Sequence, residues 1–155
     1  MKNLVPGVRN AVRAVILEGG RLLVQHKFYA DGRERFVLPG GAPEGGETLE
    51  QGLKRECREE IGADITVLRL LHVADFLKPR ETDPVTYRQQ VEFLFLCQLP
   101  EGYVAGNGPH PDKHQQAVLW LPVAELCHKN FFPGGLSRLL SKPIQAEPVY
   151  LGLIE

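Results

Sequence analysis

Residues 41–63 read GAPEGGETLEQGLKRECREEIGA and place three carboxylates, Glu56, Glu59 and Glu60, on five consecutive positions. The spacing predicts a helix over 48–61: Thr48 followed by Gln51 is a capping-box pattern, and Gly62 is a natural stop. At about 100° per residue, Leu49, Leu53, Cys57 and Ile61 form an apolar stripe about 120° wide. With Leu49 at zero, Glu60 falls at about 20°, Glu56 at about 340° and Glu59 at about 280°, while Arg55 and Arg58 point outward. Glu56 and Glu60 therefore lean toward the core, where a free charge is expensive. As an i,i+4 like-charge pair they also oppose the helix by a few tenths of a kcal/mol. A hard divalent cation is the natural neutraliser, because Mg²⁺ favours carboxylate oxygens and keeps waters and substrate phosphates in its other positions. Pro39, Gly40, Gly41, Gly45 and Gly46 bring free backbone groups to the start of the same helix. Such a turn can present a carbonyl to a metal or amides to a phosphate.

Other elements must hold this helix. Residues 11–17 (AVRAVIL) read as a strand, 18–20 as a turn and 21–26 as the returning strand of a hairpin. Residues 27–36 form a polar loop bearing aromatic rings, and Val37-Leu38 is an apolar stub ending at Pro39-Gly40-Gly41. Strands are expected at 65–73, 89–99 and 117–121, with the central one near-continuously apolar. Loops are expected at 77–88 and 100–115, and short helices at 123–129 and 135–141. This order implies an α/β layered fold with a mixed sheet, 1–155 forming one domain.

Composition removes several function classes. A chain of 155 residues with 43% apolar and 24% charged residues is globular rather than disordered. Its net charge of −1 argues against a nucleic-acid polymer as partner, although a small basic pocket is compatible with it. The longest apolar run, 117–124, is far short of the roughly 20 residues that span a bilayer. Cys57, Cys97 and Cys127 form no CxxC pair, and the N-terminal stretch has no apolar core of a secretory signal, so a reduced, cytoplasmic compartment is expected.

The 41–63 segment is similar to the signature of the Nudix hydrolase family, G-x5-E-x7-R-E-U-x-E-E-x-G-U, where U is a bulky apolar residue. All seven fixed positions match: Gly41, Glu47, Arg55, Glu56, Glu59, Glu60 and Gly62; Cys57 and Ala63 occupy the U positions and are smaller than usual. The resemblance implies an α/β/α sandwich with the segment as loop-helix-loop, and Mg²⁺- or Mn²⁺-dependent cleavage of a nucleoside diphosphate linked to another group. It implies Glu56, Glu59 and Glu60 as metal ligands, with the Gly41 carbonyl a further one. It also implies a Glu47–Arg55 pair that joins loop to helix. The general base is expected at Glu59 or Glu60, with Asp112 and Glu92 as the other acids to consider. Members are often homodimers.

Pro79, 16 positions past Ala63, resembles a feature of the ADP-ribose pyrophosphatase subgroup. Phe28, Tyr29, Arg33 and Arg35 in the 27–36 loop suit base stacking and phosphate binding. Among five histidines, His114 is the substrate-binding candidate because of its long loop. The rival expectation is a Nudix fold that senses a nucleotide without turnover.

Overall fold

The computed structural model describes residues 3–144 and 147–155; Met1 and Lys2 of the N-terminal stretch lie outside these. Two sheets organise the chain. The first is five-stranded and mixed: β1 (Leu4–Val15), β5 (Gly40–Gly41), β6 (Thr66–Pro79), β7 (Tyr87–Gln98) and β9 (Tyr150–Ile154), in the order β5-β1-β7-β6-β9. β1 runs parallel to β7 and antiparallel to β5, while β6 and β7 form a long antiparallel pair. In the second sheet β3 (Arg21–Phe28) is central. It pairs with β8 (Gln115–Pro122) on one side and with β2 (Leu17–Glu18) and β4 (Glu34–Val37) on the other.

Helix α1 (Leu49–Ile61) begins at Thr48, whose hydroxyl accepts from the Gln51 amide while the Gln51 side chain accepts from Thr48 N–H. It ends at Gly62 in the left-handed conformation, φ 65°, whose N–H returns to the Cys57 carbonyl. Leu53, Cys57 and Ile61 are buried against Val12, Ala14 and Phe95 of the first sheet and Leu23 and Val118 of the second. On the other side α2 (Gly134–Leu140) and a short 3-10 helix (Val123–His128) supply Leu126, Leu136 and Leu140 to a second core with Val15, Leu94 and Leu121. The central sheets lie between helical layers, the layered α/β arrangement that the element order implies and the sandwich that the family resemblance implies.

The structure corrects several expected boundaries. β1 starts at Leu4, and the chain passes from one sheet to the other at Ile16. The expected hairpin is therefore real only for Leu17-Glu18 against Arg21-Leu22. The expected 27–36 loop is a short connection between β3 and β4. The 77–88 loop shrinks to 80–86, because Lys78 and Pro79 still pair with Arg88 and Tyr87. β9 pairs no farther along β6 than Phe76, so Pro79 ends a strand at an open edge, where its missing N–H leaves no partner waiting. β9 has no counterpart in the sequence expectation. Among the described residues no helix is long and apolar enough to cross a membrane.

Candidate active site

Exposure falls sharply across Glu59, Glu56 and Glu60 of α1. The Glu59 side chain keeps 38% of its surface, Glu56 keeps 16%, and Glu60 retains only 2%. The buried Glu60 carboxylate accepts one hydrogen bond, from Gly40 N–H at 2.9 Å. Burial pushes its pKa up to about 8, against the pull of that amide, and the neighbouring Asp112 and Glu56 charges push the same way. Burial also raises Glu56, opposed by Arg55 and reinforced by Glu59 and Asp112.

The glycines explain how a carboxylate comes so close to the backbone. A Cβ built on Gly41 would lie 2.6 Å from Glu56 Oε1. At Gly40, φ is 142° and a Cβ would fall on the Val12 carbonyl oxygen. Only a glycine pair allows the β5 backbone to lie this close to β1 and to Glu56 while its Gly40 amide is aimed at Glu60.

Arg55 ties the loop to the helix. Its Nε and Nη2 donate to Glu47 at 2.9 and 3.0 Å, a bidentate pair, and Nη2 also donates to the Ala42 carbonyl at 3.2 Å. Nη1 reaches Glu56 at 3.2 Å and Glu59 at 3.4 Å. The hydrogen bonds from Arg55, then that from the Glu44 amide, hold the Glu47 carboxyl below its ordinary range. A lysine offers no planar fork, so Arg55→Lys breaks the bidentate pair. The expected result is a fall in kcat of about 10- to 100-fold, with the far-ultraviolet circular dichroism unchanged. A fully active Arg55→Lys enzyme would show that the loop needs no such tie.

The last carbonyls of α1 are claimed by the loop between β7 and β8. Gly108 N–H donates to Glu60 O at 2.9 Å, His110 N–H to Glu59 O at 2.8 Å, and Tyr103 Oη to Ile61 O at 2.6 Å. Buried Gln115 donates Nε2 to Glu60 O at 2.8 Å and accepts from Asp112 N–H at 2.9 Å. Gln115 thus anchors the loop on the helix and sets Asp112 near the acids. The sequence shows Gln115 only as a residue that is not an acid; its clamp was not readable there. Burial raises the Asp112 carboxyl, but the ion pair with Lys27, the Lys113 amide and the Arg13 charge together leave it below its ordinary value. Glu92 is 1% exposed and engaged by Arg13 Nε at 3.0 Å and Gln90 Nε2 at 3.2 Å. It is a buried ion-pair member.

A cleft of about 650 Å³ meets the acidic cluster at Asp112, which lines it, while Glu56, Glu59 and Glu60 do not. Tyr29, Arg33, Arg35, Pro79 and His114 all line it; Phe28 does not, and instead sets its ring edge-on to His26. The Tyr29 ring is already covered, by the guanidinium groups of Arg33 and Arg35 at 5.5 and 5.2 Å and by the His114 ring at 4.4 Å. The ring holds cations over the cleft rather than waiting for a base. Sequence reasoning missed Arg9, Lys78, Arg80 and Arg88, which come from three strands and a loop end that only the sheet brings together.

Among the described residues no three His, Cys, Asp or Glu side chains converge on one point as a ready metal cage. Each glutamate has a protein partner instead, Arg55 for Glu56 and Glu59 and an amide for Glu60. The donor chemistry nevertheless fits a hard cation: all the oxygens are anionic or carbonyl, and the acids raise one another's pKa.

Mutually repelling acids on one helix, beside a pool of cations, suit the splitting of a phosphate anhydride, whose charge must be held on both sides of the break. The comparisons agree with that class. The NUDIX domain family model matches residues 7–140, and the chain belongs to this family. That membership makes it a pyrophosphohydrolase. Among solved structures, a NUDIX hydrolase from Nitrosomonas europaea superposes with TM-score 0.67 at 22% identity, covering 94% of this chain and 78% of that one. A UDP-X diphosphatase gives 0.66 at 20% identity, covering 96% and 68%. An ADP-ribose pyrophosphatase from Streptococcus suis gives 0.61 at 18% identity, covering 94% and 97%. At these identities the likeness establishes the shared fold.

Proposed function

We propose that the protein hydrolyses the pyrophosphate bond of a nucleoside diphosphate linked to another group, a nucleotide, nucleotide sugar or ADP-ribose, with Mg²⁺ or Mn²⁺ as its ion. The observation that carries this is the burial of Glu60 and Glu56 against Gly40 and Gly41, next to a cationic cleft. Glu56, Glu59, Glu60 and the Gly41 carbonyl are the oxygens that would hold the ion. Bound there, a divalent cation supplies charge neutralisation at the anhydride and lowers the pKa of water. The chain's own residues do the rest. Water adds to one phosphorus, the bond from that phosphorus to the bridging oxygen breaks, and the water proton passes to a carboxylate. Glu59 is best suited to take it, being the most exposed of the three and held only by the 3.4 Å bond from Arg55. Arg55 and Glu47 keep loop and helix in register. The cleft cations hold the phosphates and orient the scissile bond.

The test is a turnover panel with Mg²⁺: ADP-ribose, UDP-sugars, nucleoside triphosphates and dinucleoside polyphosphates, with products resolved by chromatography. Cleavage between two phosphorus atoms in one class is expected. Tight binding without product would place the chain among nucleotide sensors instead.

A pH effect follows from Lys78. Burial, then Arg13, Lys27 and Arg9, lower its pKa to about 8, while Glu92 opposes them. Below that pH Lys78 is a cation and attracts phosphate; above it the charge is lost. The value of kcat/KM for an anionic substrate should therefore decline as pH rises through about 8. Lys78→Met should be weaker at every pH and lack this step. The same step in the variant would assign it to another group.

A further inference from the structure

The cleft holds more positive charge than a two-phosphate substrate would neutralise. Of 18 Lys and Arg in the chain, eight line this one cavity, against two acids, Glu81 and Asp112. Lys27 is paired with Asp112 and Arg33 with Asp31. Arg9, Arg35, Lys78, Arg80, Arg88 and Lys113 have no carboxylate partner among the described residues. The sheet register sharpens the point. Lys78 of β6 lies directly opposite Arg88 of β7, so two like charges share one face of an antiparallel pair. Such a like-charged cross-strand pair destabilises the sheet. A bound anion between them removes that cost. A cleft walled by one sign of charge also concentrates field and draws in ligands of the opposite sign.

We propose that this cleft selects diphosphate substrates bearing further phosphate groups, with four or more anionic charges in all, over those charged only on the scissile diphosphate. The inference rests on the proposed function above, since it concerns the same site. The scissile bond would lie toward α1, near Asp112 and Lys27. The additional phosphates would run outward between Lys78, Arg80 and Arg88, which are carried by the ends of β6 and β7 and the start of their connection.

The test is equilibrium binding in chelator, so that affinity is read without turnover. The probes are diadenosine di-, tri-, tetra- and pentaphosphate, whose ends are identical and whose bridge grows by one charged phosphate at each step. Affinity is expected to rise from the first to the last by about 100-fold at low salt, and the slope to flatten near 0.5 M salt. The double variant Arg80→Gln, Arg88→Gln should weaken the pentaphosphate about tenfold more than the diphosphate. Arg88→Gln alone should raise the melting temperature of the ligand-free protein, because it relieves Lys78; a merely structural arginine would lower it. A flat series, or a slope unchanged in the double variant, overturns the proposal. So does tighter binding of a 5′-triphosphorylated oligonucleotide than of the pentaphosphate, which would make the ligand a nucleic-acid end. A steep binding series with no turnover of any compound removes the hydrolase reading and leaves this one standing; turnover with a flat series does the reverse.

Discussion

Glu60→Gln should lower kcat by about 10²- to 10³-fold and yet make the metal-stripped protein more stable. The carboxamide oxygen still accepts from Gly40 N–H, so the local fold has what it needs. What is lost is an anionic donor for a cation. What is gained is relief from burying a charge. The folded pKa of Glu60, about 8, lies above its ordinary value of 4.5, so the native state holds a proton that the unfolded chain releases. In chelator, the contribution of protonated Glu60 to wild-type stability is therefore fully present below about pH 4.5 and is lost as pH rises through about 8. The variant lacks that loss. At pH 8.5 it should be more stable than wild type by a few kcal/mol, and nearly equal to it at pH 4. Denaturant midpoints at the two pH values, with EDTA present, check this. A variant that is inactive and also less stable at both pH values would mean that Glu60 is a packing residue.

The second large effect is Gly40→Ala. The backbone there has φ 142°, and the added methyl carbon would land on the Val12 carbonyl, part of a strand and unable to swing away. β5 would separate from β1, and with it the amide that Glu60 uses. A loss above about 4 kcal/mol is expected, enough to leave little folded protein. Gly45→Ala is the control, since a Cβ there meets nothing within 4 Å. A Gly40→Ala protein with an unchanged unfolding midpoint would refute the close approach described for this turn.

The helix was the most legible part of the chain. Thr48, Gln51 and Gly62 mark its ends by local chemistry, and the 100° spacing orders the exposure of Glu59, Glu56 and Glu60 before any fold is known. Local signals also gave the central strand, because its side chains are apolar on both faces. What could not be read depends on pairing. Nothing local in Lys78 or Arg88 states that they lie opposite each other; the β6–β7 register does. Pro79 looks like a loop residue until the edge beside it is known to be open. Gln115 looks inert until the end of α1 is placed under it. Tyr29 suggests base stacking by type, whereas the fold covers it with Arg33, Arg35 and His114. The acids of the site are contiguous in sequence and were found there; the cations are dispersed from residue 9 to residue 113 and were gathered by the sheets.

The most direct test of the central claim is the metal dependence of turnover. Protein stripped with chelator is assayed on its best substrate from the panel, then titrated with Mg²⁺ and, separately, Mn²⁺. Expected are no cleavage in chelator, recovery that saturates with either ion, and no recovery in Glu56→Gln at the same concentrations. Full turnover in chelator, or equal recovery in Glu56→Gln, would contradict the assignment of these carboxylates.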